Sequence, residues 1–420
     1  MNIINHYRLQ WKSFNDNIKA FLIFDLCNQL SIAVYVLYFP RYLIDLGFQE
    51  DLYGSLMAVS SMMMAVFAIF AGVLSDRIGR RNSLMIGVGI SKITYLTRAF
   101  FIFMPLLYTS HFIDGAVLTL YNATINPFIY ENATSKNRVH AYSMRDIFVR
   151  IATVLGNTIG GVLPVLILYL LPFQSTIGVY RIIFSISLIV ATFGFWQLTK
   201  LKPSQDEAIL KTKEKKSALG TLKDIPKNDM SFILKFTSVH ATLSFGAGMF
   251  LPFMNTYFLR KFSAGPDVTG VIFSIANVIV IVGLALAPYL KDKMGMEKSI
   301  IFTRVLSFPL FFIMAFVPSL WIVAIAYMAR NVLQQMTNPI KNTFLMEGIS
   351  RETRASANGV MNALGEGSRA LGMLLSGFII VALGYESIFM IALMFYVLSA
   401  GLFTKFFVID RQISLKKLSK

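Results

Sequence analysis

Apolar residues fall in long blocks along this chain rather than in narrow stripes. The stretch from Ala20 to Tyr42 is almost continuously apolar, and about 20 such residues suffice to cross a bilayer core. It belongs to a predicted segment near 19–44, followed by others near 53–74, 84–105, 108–130, 143–171 and 179–199. A second set lies near 231–258, 267–290, 299–317, 319–345, 357–383 and 386–408. Charged or Pro/Gly-bearing turns separate them. A soluble helix of this length keeps a polar face, and most of these segments have none. The pattern predicts an all-α membrane protein with twelve transmembrane helices.

Composition agrees. Apolar residues make up 55% of the 420 positions and charged residues 15%, with a mean hydropathy of +0.62; a soluble domain carries about a quarter charged residues. The net charge of +17 would suit a nucleic-acid partner, but its placement argues against one. Lys and Arg crowd alternate loops: Lys12 and Lys19, then Arg77 to Arg81, Lys136 and Arg138, the stretch from Lys200 to Lys227, then Lys291 to Lys298, Arg351 and Arg354, and Lys416 to Lys420. The intervening loops near 45–52, 105–110, 172–178 and 318–319 carry none. That asymmetry is the positive-inside pattern, and it predicts both termini in the cytoplasm. Arg260 and Lys261, after the seventh segment, are the exception. The single cysteine, Cys27, rules out an intrachain disulfide, and the N-terminus lacks the short apolar core and cleavage site of a signal peptide.

Between the two sets lies one long polar stretch, which gives a division into an N-terminal bundle (1–199), a basic cytoplasmic linker (200–230) and a C-terminal bundle (231–420). An internal repeat supports it. At an offset of about 216 positions Asp76 falls on Asp292, Gly79 on Gly295, Asn122 on Asn338, Glu131 on Glu347 and Arg138 on Arg354. Gly156 falls likewise on Gly372, and Gly161 on Gly377. Parallel repeats of this kind build one class of secondary transporters, with the solute site near mid-membrane.

The loop after the second segment reads Gly72-Val73-Leu74-Ser75-Asp76-Arg77-Ile78-Gly79-Arg80-Arg81. Here the sequence resembles the major facilitator superfamily, whose signature loop is G-x-L-[AS]-D-R-x-G-R-[RK]. The second copy, from Pro288 to Lys298, is degenerate and keeps Asp292 and Gly295. The resemblance implies two pseudo-symmetric six-helix bundles. It also implies that Asp76 helps latch the cytoplasmic side against the eleventh helix, with Arg77, Arg80 and Arg81 beside it. Glu131 is the expected partner of a motif arginine, and Glu347 with Arg354 would repeat that arrangement.

Ionisable side chains at mid-membrane are costly and mark functional positions. Asp25, Asn28 and Tyr35 fall on one stripe of the first segment and are expected to line a cavity, with His240 facing them from the other half. Asp25 is the first choice for a protonatable coupling residue; a paired gate residue is the alternative. Arg98 and Asp114 lie at matching distances from one outer turn and are expected to form a buried pair. Arg330, Gln334 and Asn338 recur every fourth residue, and Asn122 with Asn126 are their counterparts; such a stripe suits a polar or anionic group on a solute. Arg150 aligns with Glu366 and is expected to pair with it across the pseudo-twofold, or else locally with Asp146.

No P-loop is present, so nucleotide does not drive the process. With four His, one Cys and no clustered carboxylates, neither a metal nor another cofactor is expected, nor an enzyme. The expectation is a monomeric secondary transporter in the cell membrane, moving a small-molecule substrate with a proton or other coupling ion. Abundant Phe and Met (37 and 21 residues) favour efflux of amphipathic compounds over uptake of a sugar or organic anion. The other class in play is a sensor or scaffold that transports nothing.

Overall fold

A computed structural model describes residues 11–134, 138–172, 175–202, 226–350 and 354–410. The linker positions 203–225 and the last ten residues lie outside them. The helices are α1 (Asp16–Asp45), α2 (Glu50–Ile78), α3 (Arg80–Phe100), α4 (Met104–Asn132), α5 (Arg138–Leu170) and α6 (Thr176–Thr199). They continue as α7 (Lys227–Phe250), α8 (Met254–Phe262), α9 (Pro266–Met294), α10 (Met296–Phe316), α11 (Leu320–Met336), α12 (Asn338–Glu347), α13 (Arg354–Leu383) and α14 (Tyr385–Thr404). No strand occurs among the described residues, and eight helices are long and apolar enough to cross a membrane.

Two predicted segments are each split in the structure. The segment near 231–258 becomes α7 and α8 around a short 3-10 turn, Leu251–Phe253, that contains Pro252. The segment near 319–345 breaks at Thr337, between α11 and α12. Pro339 causes this second break: it has no N–H, and its ring clashes with the carbonyl four residues back, so it sits in the first turn of a new helix. Local signals at other ends are clear. Asn15 caps α1, its side chain accepting from the Ile18 N–H at 2.8 Å. Gly79 and Gly295, with φ of 89° and 78°, end α2 and α9 in a backbone conformation that L side chains rarely adopt.

The helix bounds repeat along with the sequence: α9 starts and ends about 216 positions after α2, α10 after α3, and α13 starts that far after α5. The packing repeats too. α1 lies against α5 and α6 as α7 lies against α13 and α14, and α3 against α4 as α10 against α11. Glycines make these approaches possible. A Cβ on Gly156 would stand 2.8 Å from the Leu30 carbonyl, and one on the equivalent Gly372 would collide with the Phe245 carbonyl.

The chain forms two compact units. Unit 1 comprises 1–46, 66–216 and 266–274; unit 2 comprises 47–65, 217–265 and 275–420. They differ from a cut between the two sets of six segments by an exchange of short pieces, the start of α2 and the start of α9. In unit 2, Gly377 of α13 lets α2 approach until a Cβ there would be 2.8 Å from Asp51 Cα. In unit 1 the equivalent Gly161 of α5 receives Asp267 of α9 at 3.1 Å on the same measure. Each unit has an aromatic core, built around Phe21, Phe24 and Phe128 in unit 1 and around Phe236, Phe344 and Phe403 in unit 2.

Candidate functional site: charge buried in the two units

The two buried aspartates of unit 1 each have an arginine partner. Arg98 of α3 and Asp114 of α4 meet at 3.3 Å, both side chains buried. Ser91 donates to Asp114 at 2.6 Å, while Arg98 donates from Nε to the Ser110 hydroxyl and from Nη2 to its carbonyl. Every polar edge of the pair is occupied, which fits a structural staple. Asp25 of α1 is wholly buried and accepts from Arg145 Nε of α5 at 2.9 Å and from the Tyr121 hydroxyl of α4. Arg145 keeps 19% of its side chain exposed, so one end of this pair reaches out of the core.

Tyr35 does not share a wall with Asp25. Ten residues at about 100° each set the two roughly 80° apart around the helix. Tyr35 stacks instead on Tyr95 at 4.3 Å and on Phe39 at 5.0 Å. Asn28 is buried, and Asn122 and Asn126 are exposed on unit 1. Asp146 approaches Arg145 at 3.7 Å, so the expected local pair with Arg150 is not formed. Asp146 sits one residue from Arg145, and the fully buried Asp25 takes that arginine's Nε.

At the signature loop, Arg80 donates to Glu131 at 3.0 Å and to the Ser75 hydroxyl at 2.9 Å. Arg81 donates to the Thr199 carbonyl at 3.1 Å, and Arg77 is exposed. Gly72 is open, with nothing near enough to meet a Cβ. The side chains of Asp76, Arg138 and Arg354 lie outside the described residues. Asp292 and Glu347 are exposed, and neither forms an ion pair among the described residues.

Unit 2 is charged differently. Arg330 of α11 is 1% exposed and lies against three rings, with its Cζ 4.6 Å from Phe250, 5.0 Å from Tyr396 and 5.8 Å from Phe311. Its Nε and Nη2 have no hydrogen-bond partner. Arg304 of α10 is buried and donates to the carbonyl and hydroxyl of Ser399. Lys341 of α12 is buried as well. No described carboxylate pairs with Arg304, Arg330 or Lys341. A desolvated cation–π contact contributes about 2 kcal/mol, whereas an unpaired buried ion costs several kcal/mol and each orphaned donor about 1–3 more. The rings therefore hold Arg330 in place without fully compensating it.

Gln334 follows Arg330 one turn on within α11, but Asn338 does not continue the stripe, because the break at Thr337 turns it aside to donate to Gln335 at 2.7 Å. Glu366 forms a local pair with Arg369, its i+3 neighbour on the same helix, at 3.3 Å. His240 packs at Gly365, where a Cβ would come within 2.9 Å of its Nε2.

The two basic residues that broke the charge asymmetry are also explained. Arg260 reaches Glu50 at 3.0 Å, and Lys261 reaches Glu386 at 2.8 Å. Both are neutralised by a carboxylate within unit 2. Arg145, Arg304 and Lys341 are cations packed inside the units that segment hydropathy alone does not single out. Each stands as a charge inside an apolar block, which is the signal that marks it.

Paired units with one packing pattern, and with charge at matching depths in lipid-length helices, define a polytopic protein of the secondary-transporter kind. The chain belongs to the major facilitator superfamily: the model of that description matches residues 21–371 and 236–419. It is 25% identical over 150 residues to the tetracycline resistance protein, class B, of Escherichia coli, a stretch covering 35% of this chain and 37% of that relative. The matched length is thus little more than a third of that protein. The crystal structure of the nucleoside transporter NupG superposes with a TM-score of 0.71 at 13% identity, covering 94% of this chain and 100% of that one. That of a D-xylose-proton symporter gives 0.69 at 17%, covering 93% and 97%. At such identities the likeness is one of fold.

Proposed function

We propose that this protein moves a small organic solute across the cell membrane by alternating access of its two six-helix halves, coupled to protons, with both termini in the cytoplasm. The observation that carries the coupling is the Asp25–Arg145 pair. Asp25 is wholly buried within unit 1, yet its partner is part-exposed. An ion pair holds only while both members are charged. Protonating Asp25 therefore releases Arg145, and losing that proton recaptures it. That is a two-state element a proton gradient can bias. The signature loop, with Asp76, Arg80 and Glu131, serves as the cytoplasmic latch, and the protein works as a monomer.

Export is the direction favoured, on the sequence similarity to the tetracycline resistance protein and on the Phe- and Met-rich helices, which suit adaptable apolar contacts. Uptake of an organic anion is the second reading, favoured by the uncompensated cations of α10 to α12. The test is flux in proteoliposomes under an imposed pH gradient. Asp25→Asn is expected to abolish gradient-driven accumulation while sparing exchange, and unchanged accumulation would contradict the coupling role.

A further inference from the structure

At the end of unit 2 that carries the degenerate signature loop, α7, α10, α12 and the turn after α14 (Lys405–Ile409) enclose a cavity of about 530 Å³. Small-molecule sites are of about 300–1,000 Å³. Its walls are aromatic. Phe232 meets Phe407 at 5.2 Å and Phe344 at 5.9 Å, and the rings of Phe232 and Phe406 stay part-exposed. Its polar lining is acidic: Glu297, Glu347 and Asp410 stand against one base, Lys235. That lysine lies 3.9 Å from Asp410 and 5.7 Å from the Phe406 ring, so the wall already accepts one cation. Glu347 is exposed and forms no ion pair among the described residues.

In unit 1 the equivalent helix ends are tied together. Arg80 donates to Glu131 at 3.0 Å, and Asn17 donates to the Asn132 side chain at 2.7 Å. At the offset of 216 positions Glu131 is kept as Glu347, but Met296 stands at the place of Arg80, Glu297 at that of Arg81 and Gly348 at that of Asn132. Lys291 takes the place of Ser75 and forms no ion pair among the described residues. The acid has been retained and the guanidinium that neutralised it has gone. Phe232 covers Gly348, where a Cβ would collide with its ring. A carboxylate, an aromatic wall and the room beside them remain.

We propose that this cavity binds an organic cation, a guanidinium or ammonium group set against Glu347 with its apolar body against Phe232 and Met296. The ring face attracts a cation through its quadrupole, and the carboxylate accepts the charge-assisted hydrogen bond that Glu131 takes from Arg80. The thioether of Met296 adapts to bodies of different shape. A bound cation joins α12 to α7 and α10, as Arg80 joins α3 to α4. The site lies wholly within unit 2 and does not depend on which solute the protein moves, or in which direction.

The test is calorimetric titration of the full chain in a non-ionic detergent, with benzylguanidine against benzylurea and 2-phenylethylamine against 2-phenylethanol. Each cation is expected to bind about tenfold more tightly than its neutral partner. Glu347→Gln is expected to weaken cation binding about threefold and to leave the neutral compounds unchanged. Met296→Arg restores the arginine of unit 1 and is expected to close the site, weakening cation binding about tenfold or more. Lys416→Ser combined with Lys417→Ser is expected to change nothing. Binding about tenfold tighter in that variant would assign the cavity to the chain's own basic tail and overturn the proposal. Neutral partners binding as well as the cations, a full chain that binds neither cation, or cation binding unchanged in both Glu347→Gln and Met296→Arg would each overturn it too.

Discussion

Asp114 and Arg330 occupy the same position of an internal repeat, in helices that pack against equivalent neighbours, yet one is satisfied and the other is not. Asp114 has an arginine and hydroxyl donors around it. Arg330 has three rings and two free donors. Duplication has preserved the geometry and let the electrostatics diverge. In unit 1 the buried Arg98–Asp114 pair joins two helices, whereas in unit 2 the buried Arg330 is held by rings alone.

The sharpest way to break this contrast is to remove each arginine in turn. Arg98→Met leaves Asp114 as an uncompensated buried charge and is expected to cost about 3–5 kcal/mol, read as a large loss of thermal stability in detergent. Arg330→Met removes a charge that has no ionic partner, so it is expected to be neutral or stabilising by about 1–4 kcal/mol in the same assay. Equal destabilisation by the two would mean that Arg330 is a staple like Arg98. Next in size is Gly377→Ala, whose Cβ would stand 2.8 Å from Asp51 Cα; overpacking of this kind costs about 1–3 kcal/mol. Gly161→Ala, with its nearest atom at 3.1 Å, is expected to cost less, and the reverse order would show that the two exchanged contacts are not equivalent. Glu131→Gln is expected to have the smallest effect on stability. Gln keeps an acceptor for the Arg80 Nε–H and removes only the charge of the pair; the larger effect of the substitution is expected on flux.

Much of this was legible from sequence, for physical reasons. In lipid a helix needs only length and apolarity, so α1 and α6 stand out as blocks without any periodicity being resolved. The Arg98–Asp114 pair could be located because both residues lie at equal distances from one turn, which fixes their depth. Depth alone does not fix direction. Asp25 and Tyr35 belong to a segment apolar nearly all round, so nothing in the pattern said that one faces Arg145 and the other Tyr95. Arg145 itself lies 120 positions from Asp25, a separation that no local rule bridges. Pro339 lies inside the segment read as 319–345, where the first turn of a new helix and a kink within one look alike until the helix on each side is seen. The exchange of Gly47–Ala65 and Pro266–Ser274 between units depends on packing between distant helices, which hydropathy does not encode.

The central claim is that the two halves couple solute movement to a proton gradient. Its most direct test is accumulation of labelled amphipathic compounds and organic anions by proteoliposomes containing the full chain under an imposed pH gradient, with and without a protonophore. The account predicts movement against the solute gradient that collapses when the protonophore is added and is absent in Asp25→Asn. Wild-type vesicles that move neither class of compound beyond protein-free controls, with or without the gradient, would contradict it and leave a membrane protein of this fold that does not transport them.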